Sequence, residues 1–312
     1  MKDREKAGFL KQLKHHFKHP LLRQDLLAGV TYLLPSALVL FIFVIIPVVS
    51  ALLLSFSEWE LLATKGQHFI GLGNYIDLLT DKEFWNTIKN TLYFGVVKIP
   101  ADIILSLLVA MLLNRKIRGL SFYRTMYFLP VITSTVAVSA VWRYVYDPNF
   151  GFANVVLGWL GISPQTWLYS PRLAMPAVIL VALWKGLGYD IIIYLAGLQG
   201  IPRIFYEAAE IDGANAWQQF RNITWPLLSP VTYFIFTMSI INSFKVFGQI
   251  HVLTPDGGPL KSTEVMVLFI YRQAFQEYHF GRAAAAAFIL FAIVTAITQL
   301  QRRIIEPKVH YT

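Results

Sequence analysis

The sequence predicts an all-α polytopic membrane protein with six transmembrane helices. Three observations lead there. Of 312 residues, 56% are hydrophobic and only 14% are charged; the apolar residues gather in segments long enough to cross a bilayer; and basic residues cluster on short flanks of alternate segments. A soluble domain cannot bury so much apolar surface, so the chain must meet lipid. The net charge of +9 raises nucleic acid as a partner. The basic residues, however, stand beside long apolar segments rather than among exposed aromatics, and basic cytoplasmic loops account for the same charge, so no nucleic-acid partner is expected. With no cysteine, disulfides, thiolate metal sites and thiol nucleophiles are excluded.

The first span is the clearest. From Leu26 to Ser57 there is no charged residue, well beyond the roughly 20 residues that cross the hydrocarbon core. The span is placed at about 31–57, with Pro35 and Pro47 marking an entry turn or a kink. A cleaved signal peptide would have a shorter apolar run and a small-residue cleavage site, so this span is read as retained. Five more segments follow, at about 90–114, 126–146, 173–198, 226–250 and 283–301, each long enough to span. The resulting division is a basic arm at 1–25, one transmembrane domain at 26–304 and a tail at 305–312.

Orientation follows from the short flanks. Arg115, Lys116, Arg118 and Arg124 lie between the second and third spans with no acidic residue among them, which places that loop in the cytoplasm. Lys2, Arg4, Lys6, Lys11, Lys14, Lys18 and Arg23 before the first span, and Arg302, Arg303 and Lys308 after the last, put both termini on the same side. Six spans require this. The outer loop from Glu58 to Lys89 is acid-rich (Glu58, Glu60, Asp77, Asp81, Glu83), and Trp59, Trp85 and Tyr93 near its ends suit the aromatic belt. Thr254 to Pro259, the third outer loop, reads as a rigid turn. No period of 20 to 50 residues marks a repeat array.

Between the fourth and fifth spans, residues 200–226 form a cytoplasmic loop with the marks of two short helices. Pro202 opens the first, with Glu207 and Glu210 along it. Asp212-Gly213 breaks the run, the glycine supplying a tight turn and the aspartate a cap for the next helix. The second helix carries Trp217, Phe220 and Ile223 at helical spacing and ends ahead of Pro226.

Glu207-Ala208-Ala209, Asp212-Gly213-Ala214, Ile223 and Pro226 resemble, in identity and spacing, the EAA motif of binding-protein-dependent ABC importer permeases. The resemblance extends to Phe69-Ile-Gly-Leu-Gly-Asn-Tyr75, Phe122-Tyr-Arg-Thr-Met-Tyr-Phe-Leu-Pro130 and Ala196-Gly-Leu-Gln-Gly-Ile-Pro202, which look like carbohydrate-importer permeases of the maltose and glycerol-phosphate type. The loop at Thr254–Pro259 and Phe280-Gly281 look more like the first permease of the heteromeric pair. The resemblance implies a bacterial inner-membrane subunit whose EAA loop is a coupling helix seated on an ATPase. Its partners would be a second permease, an ATPase dimer, an external solute-binding protein and membrane lipid. It also implies alternating access, with ATP and Mg bound by the ATPase and no cofactor on this chain. Small alanines allow close helix approach, and a carboxylate can pair with a basic residue across the interface. The chain has no Gly-x-x-x-x-Gly-Lys-Ser/Thr phosphate loop and no His-Glu-x-x-His or Gly-x-Ser-x-Gly motif, so neither nucleotide nor hydrolytic chemistry is evident in it.

Polar residues inside spans mark a solute path or helix contacts. Ser239, Asn242, Lys245 and Gln249 recur at helical spacing on a face roughly 120° wide, which either lines the passage or meets neighbouring helices and the interface. Lys185 and Tyr189 share a face of the fourth span, with Asp190 expected to point away. Lys98 and Asp102, four apart, are expected to neutralise each other. His15, His16 and His19 in the basic arm are read as solvated or lipid-facing rather than metal-binding. An ion-driven secondary transporter, with broken helices and repeat symmetry, is the alternative; a membrane-bound enzyme is a more distant one.

Overall fold

The computed structural model describes residues 20–59, 68–115 and 119–308. The histidine group at 15, 16 and 19, most of the basic arm, Glu60, Lys116 and Arg118 lie outside the described residues. The chain divides between Leu54 and Ser55 into two compact units.

The first unit is one long apolar helix in two parts, α1 (Pro20–Leu40) and α2 (Ile46–Ser55), joined by a π-helical turn at Phe41–Ile45. All side chains from Ala28 to Ser50 are exposed, a surface suited to lipid rather than water. The wide turn has a local cause. Pro47 has no N–H, and its ring would collide with the carbonyl four residues back. Just before it, Ile46 N–H donates to the Phe41 carbonyl five residues back, which opens the helix by one residue.

The second unit is helical apart from a two-residue antiparallel pairing of Ser57–Glu58 with His68–Phe69. Its helices are α3 (Gly73–Thr80), α4 (Lys82–Leu113), α5 (Leu120–Ile132), α6 (Thr135–Val145), α7 (Phe152–Trp159) and α8 (Ala174–Gly200). They continue as α9 (Arg203–Ile211), α10 (Ala216–Leu227), α11 (Ser229–Phe244), α12 (Gly248–Leu253), α13 (Met266–Phe275) and α14 (Phe280–Ile305). The long helices α4 and α8 pack along each other as the centre of the fold; α11 lies on α4, α5 on α8, and α13 against α14. One apolar core gathers Phe94, Val178, Ile250 and Leu268, and a second gathers Leu107, Ile191, Tyr194, Leu228 and Ile235.

By length and composition, four helices among the described residues can cross a membrane, and up to six if each of two bent pairs counts as one crossing. Those pairs fall in two of the expected spans. The segment at 126–146 breaks between α5 and α6 with a bend of 102°. The segment at 226–250 is α11, which starts at a 64° bend from α10 and stops at Phe244 with Lys245 at its C-terminal cap, before the separate α12. A single polar stripe along one helix therefore does not exist.

Close approach of α8 to α5 depends on Gly188, where a Cβ would sit 2.1 Å from the Tyr127 carbonyl oxygen. Backbone cannot yield to that contact as a flexible side chain would. Gly188→Val should destabilise the folded chain by about 1–3 kcal/mol or more, read as a lower thermal midpoint of the purified protein in detergent. Gly200→Val, at an open position, should shift it much less.

Candidate functional site

Two features stand out: an exposed helical hairpin and a polar cavity. The hairpin leaves α8 at Ile201, which is buried, and turns at Pro202, whose extended backbone sets the N-terminus of α9. At the far end of α9, Asp212 is the C-cap and Gly213 takes φ +77°, a left-handed conformation that glycine adopts without strain. The Ala214 N–H donates to the Ala209 carbonyl at 2.8 Å, closing the turn. Asn215, not the expected Asp212, caps α10: its side chain accepts from Gln218 N–H at 2.9 Å while the Gln218 side chain accepts from Asn215 N–H at 2.7 Å. Asn215 has the place directly before the first helical residue, whereas Asp212 is spent on the preceding turn.

The second arm also runs past Pro226 instead of ending ahead of it. A π-helical turn at Phe220–Thr224, with Trp225 N–H donating to the Phe220 carbonyl, makes room for the proline ring. Tyr206 Oη and Thr224 Oγ1, 2.9 Å apart, join the two arms. Trp217 stacks on Phe220 with ring centroids 5.5 Å apart. Phe220 and Ile223 pack against the second core, which fixes the hairpin's root. Its tip is different: Glu207, Ala208, Asp212 and Gly213 are exposed, Ala209 and Ala214 half-buried, and Ile211 is 87% exposed. An amphipathic helix with its apolar residues open to solvent is a surface for a partner.

The cavity, about 380 Å³, lies among α4, α8, α11 and α12 and the break between α5 and α6. It brings together five of the six residues read from the sequence: Lys185, Tyr189, Ser239, Asn242 and Gln249. Lys245 is exposed and does not line it, because α11 ends there and the chain re-enters as α12 with Gln249. Asp190, expected to point away, lines the cavity too. The cavity wraps around α8, so both Tyr189 and its neighbour 100° further round the helix reach it. Asp190 makes no hydrogen bond or ion pair with any described residue although it is only 8% exposed.

The two lysines are both engaged. Lys98 forms an ion pair with Asp102, whose side chain is 1% exposed. Lys185 Nζ donates to the carbonyl oxygens of Thr133 at 3.0 Å, Pro130 at 3.2 Å and Val131 at 3.5 Å. These carbonyls are orphaned by the break between α5 and α6, and an ammonium group at a helix C-terminus also meets the negative end of its dipole. Lys185 thus fastens the broken segment to α8, a role with no signal in its sequence neighbourhood.

Sequence reasoning also missed a charge network on the α13–α14 side. Arg272 donates from Nε to Glu264 Oε1 at 2.9 Å, from Nη1 to Glu277 at 2.6 Å and from Nη2 to Glu83 at 2.5 Å. Arg282 pairs with Asp77 at 3.2 Å and with Asp81. Asp77, Asp81 and Glu83 of the 58–89 segment are therefore partners of arginines about 200 positions downstream. Burial pushes the Glu264 carboxyl up, while Arg272 and Lys261 pull it down.

A helical permease core with an exposed hairpin and a polar cavity within its helix packing defines a polytopic transport protein. The family model of the binding-protein-dependent transport system inner membrane component matches residues 102–311, and the chain belongs to that family: it is the membrane-spanning permease subunit of an ATP-driven importer of the ABC type. A probable ABC transporter permease protein of Pyrococcus horikoshii is 36% identical over 280 residues, covering 88% of this chain and 95% of that one. The sn-glycerol-3-phosphate transport system permease protein UgpA of Agrobacterium fabrum is 36% identical over 245 residues, 78% and 83% of the two chains. AmyD of Thermoanaerobacterium thermosulfurigenes, a probable starch degradation products transport system permease protein, is 35% identical over 272 residues, 86% and 91%. Among solved structures, a chain of a bacterial ABC transporter involved in the import of the acidic polysaccharide alginate superposes with a TM-score of 0.78 at 26% identity, covering 91% of this chain and 97% of that one.

The Lys98–Asp102 pair makes a prediction. Lys98→Met leaves a carboxyl buried without its cation and should cost about 3–5 kcal/mol, whereas Lys98→Met combined with Asp102→Leu should recover most of that loss. Thermal unfolding of the two purified variants beside the parent checks this.

Proposed function

We propose that this chain is one of two permeases of an importer for a sugar or a related polar solute, and that the hairpin from Arg203 to Leu227 is where it receives the work of ATP hydrolysis. The observation that carries this reading is the hairpin itself: a rigid root and an exposed tip of Glu207, Ala208, Ile211 and Gly213, in a chain whose family depends on a binding protein. The hairpin lies on the cytoplasmic side with both termini. An ATPase dimer, holding ATP and Mg, seats the tip in a cleft. Closure of the ATPases moves the hairpin, and the 64° bend between α10 and α11 passes that movement to the wall of the cavity. The paired permeases switch from inward-facing to outward-facing, and an external solute-binding protein delivers its cargo.

The polar solute is inferred from relatives named for glycerol phosphate, starch products and arabinooligosaccharides, and from a cavity lined by amide, hydroxyl and carboxyl groups. Tyr189 adds a ring against which a sugar face can stack.

Two experiments test the reading. Gly213→Asp, at a position of positive φ, and Glu207→Lys should each leave membrane insertion intact while reducing ATP-driven uptake by about tenfold or more in proteoliposomes, with ATP hydrolysis no longer stimulated by the loaded binding protein. Normal transport by both variants would remove the docking role. In the cavity, Asn242→Ala should raise the KM for uptake by about fivefold or more, a lost hydrogen bond's worth. Lys245→Ala, outside the cavity, should leave uptake kinetics close to the parent's.

A further inference from the structure

The charges around the cavity bear on which solute enters it, an inference that rests on the reading of this cavity as the solute path. We propose that the cavity takes a neutral, hydroxyl-rich solute and disfavours anionic ones, with Asp190 accepting hydrogen bonds from solute hydroxyls.

Lys98 is held by Asp102 in an ion pair buried on the carboxylate side. Lys185 is occupied by three backbone carbonyls at the α5–α6 break. Neither ammonium group is free to meet a solute anion. Recruiting Lys98 would strand Asp102, a buried carboxylate, and recruiting Lys185 would leave the carbonyls of a broken helix without donors inside the membrane. Asp190 is the reverse case: it lines the cavity, is more than nine-tenths buried, and has no hydrogen-bond or ion-pair partner among the described residues. A buried carboxyl left without a partner is costly, so one facing a cavity is suited to donors that the ligand supplies. Asn242 and Gln249 also line the cavity without side-chain hydrogen bonds to described residues, and an amide both donates and accepts, which matches a hydroxyl. One free carboxyl, free amides and no free cation make a wall for neutral polyols. A carboxylate or phosphate brought beside Asp190 finds both lysines of the wall already engaged and gains no ion pair.

The test is equilibrium binding of two pairs of probes that differ in charge but not in size: glucose with glucuronate, and maltotriose with a trimer of uronic acids. Binding is read from the ligand-induced shift in thermal unfolding of the whole purified transporter in detergent, without solute-binding protein or ATP. At least one neutral probe should bind, and its uronate counterpart should bind about tenfold more weakly or worse. Asp190→Asn should weaken the neutral probe by about tenfold, through loss of a carboxyl oxygen as acceptor. Gln249→Lys leaves Asp190 in place and adds a free cation; it should strengthen uronate binding by about tenfold, which keeps the test sharp if Asp190 variants fail to fold. Uronates binding as tightly as neutral probes, no binding by either neutral probe, or a Gln249→Lys variant indifferent to charge would each overturn the inference. ATP-driven uptake by the same preparation with its binding protein is scored separately. Failed import with the binding pattern intact counts against the importer reading alone, and intact import with uronates preferred counts against this inference alone.

Discussion

The constraint on which the rest of the structure depends is that no backbone N–H or C=O can be left without a partner where water is absent. Long uninterrupted helices such as α4 and α8 meet it by themselves. Three departures from such a helix among the described residues carry a compensating device. Pro47 and Pro226 each follow a π-helical turn that opens the ladder by one residue. The 102° break between α5 and α6 is held by the Lys185 ammonium and the Thr133 hydroxyl, both donating to carbonyls at the end of α5. The break also supplies part of the cavity wall, so the residue that repairs the backbone stands beside the groups assigned to the solute.

A similar economy governs charge. Lys98 with Asp102 and Arg272 with Glu83, Glu264 and Glu277 tie α4 to itself or to α13. With those cations committed, the chemistry left to the cavity is hydroxyl, amide and one carboxyl. The hairpin shows the opposite arrangement, since its tip carries acidic and apolar groups that no described residue covers.

Most of the hairpin was legible in the sequence because its signals are local. Alanine runs, a glycine that needs φ near +77° and helical spacing of Trp217, Phe220 and Ile223 all act within a few residues. The errors were local too: Asn215 took the cap assigned to Asp212, and Pro226 was absorbed into a wide turn rather than ending the helix. The cavity was half legible. Lys185, Tyr189, Ser239, Asn242 and Gln249 could be picked out as polar residues in apolar spans, but their grouping was attributed to faces of straight helices. Asp190 was set aside by that geometry, and Lys245 was included by it.

Composition and pattern by themselves determined that the chain lives in a membrane, how its apolar segments are spaced, and that one loop folds as two short helices. Those properties come from hydrophobic transfer and short-range backbone preference, which act on each segment separately. Only the tertiary structure decided that two segments are bent, that Lys185 fastens a broken helix, that Arg272 and Arg282 are the partners of Glu83, Asp77 and Asp81, and that Asp190 lines the cavity without a hydrogen bond or ion pair to a described residue. The pairings join residues from 52 to about 200 positions apart, and the place of Asp190 depends on the arc of a helix exposed to a cavity. Pairings of that kind are set by which helices pack together, and no single segment carries the information.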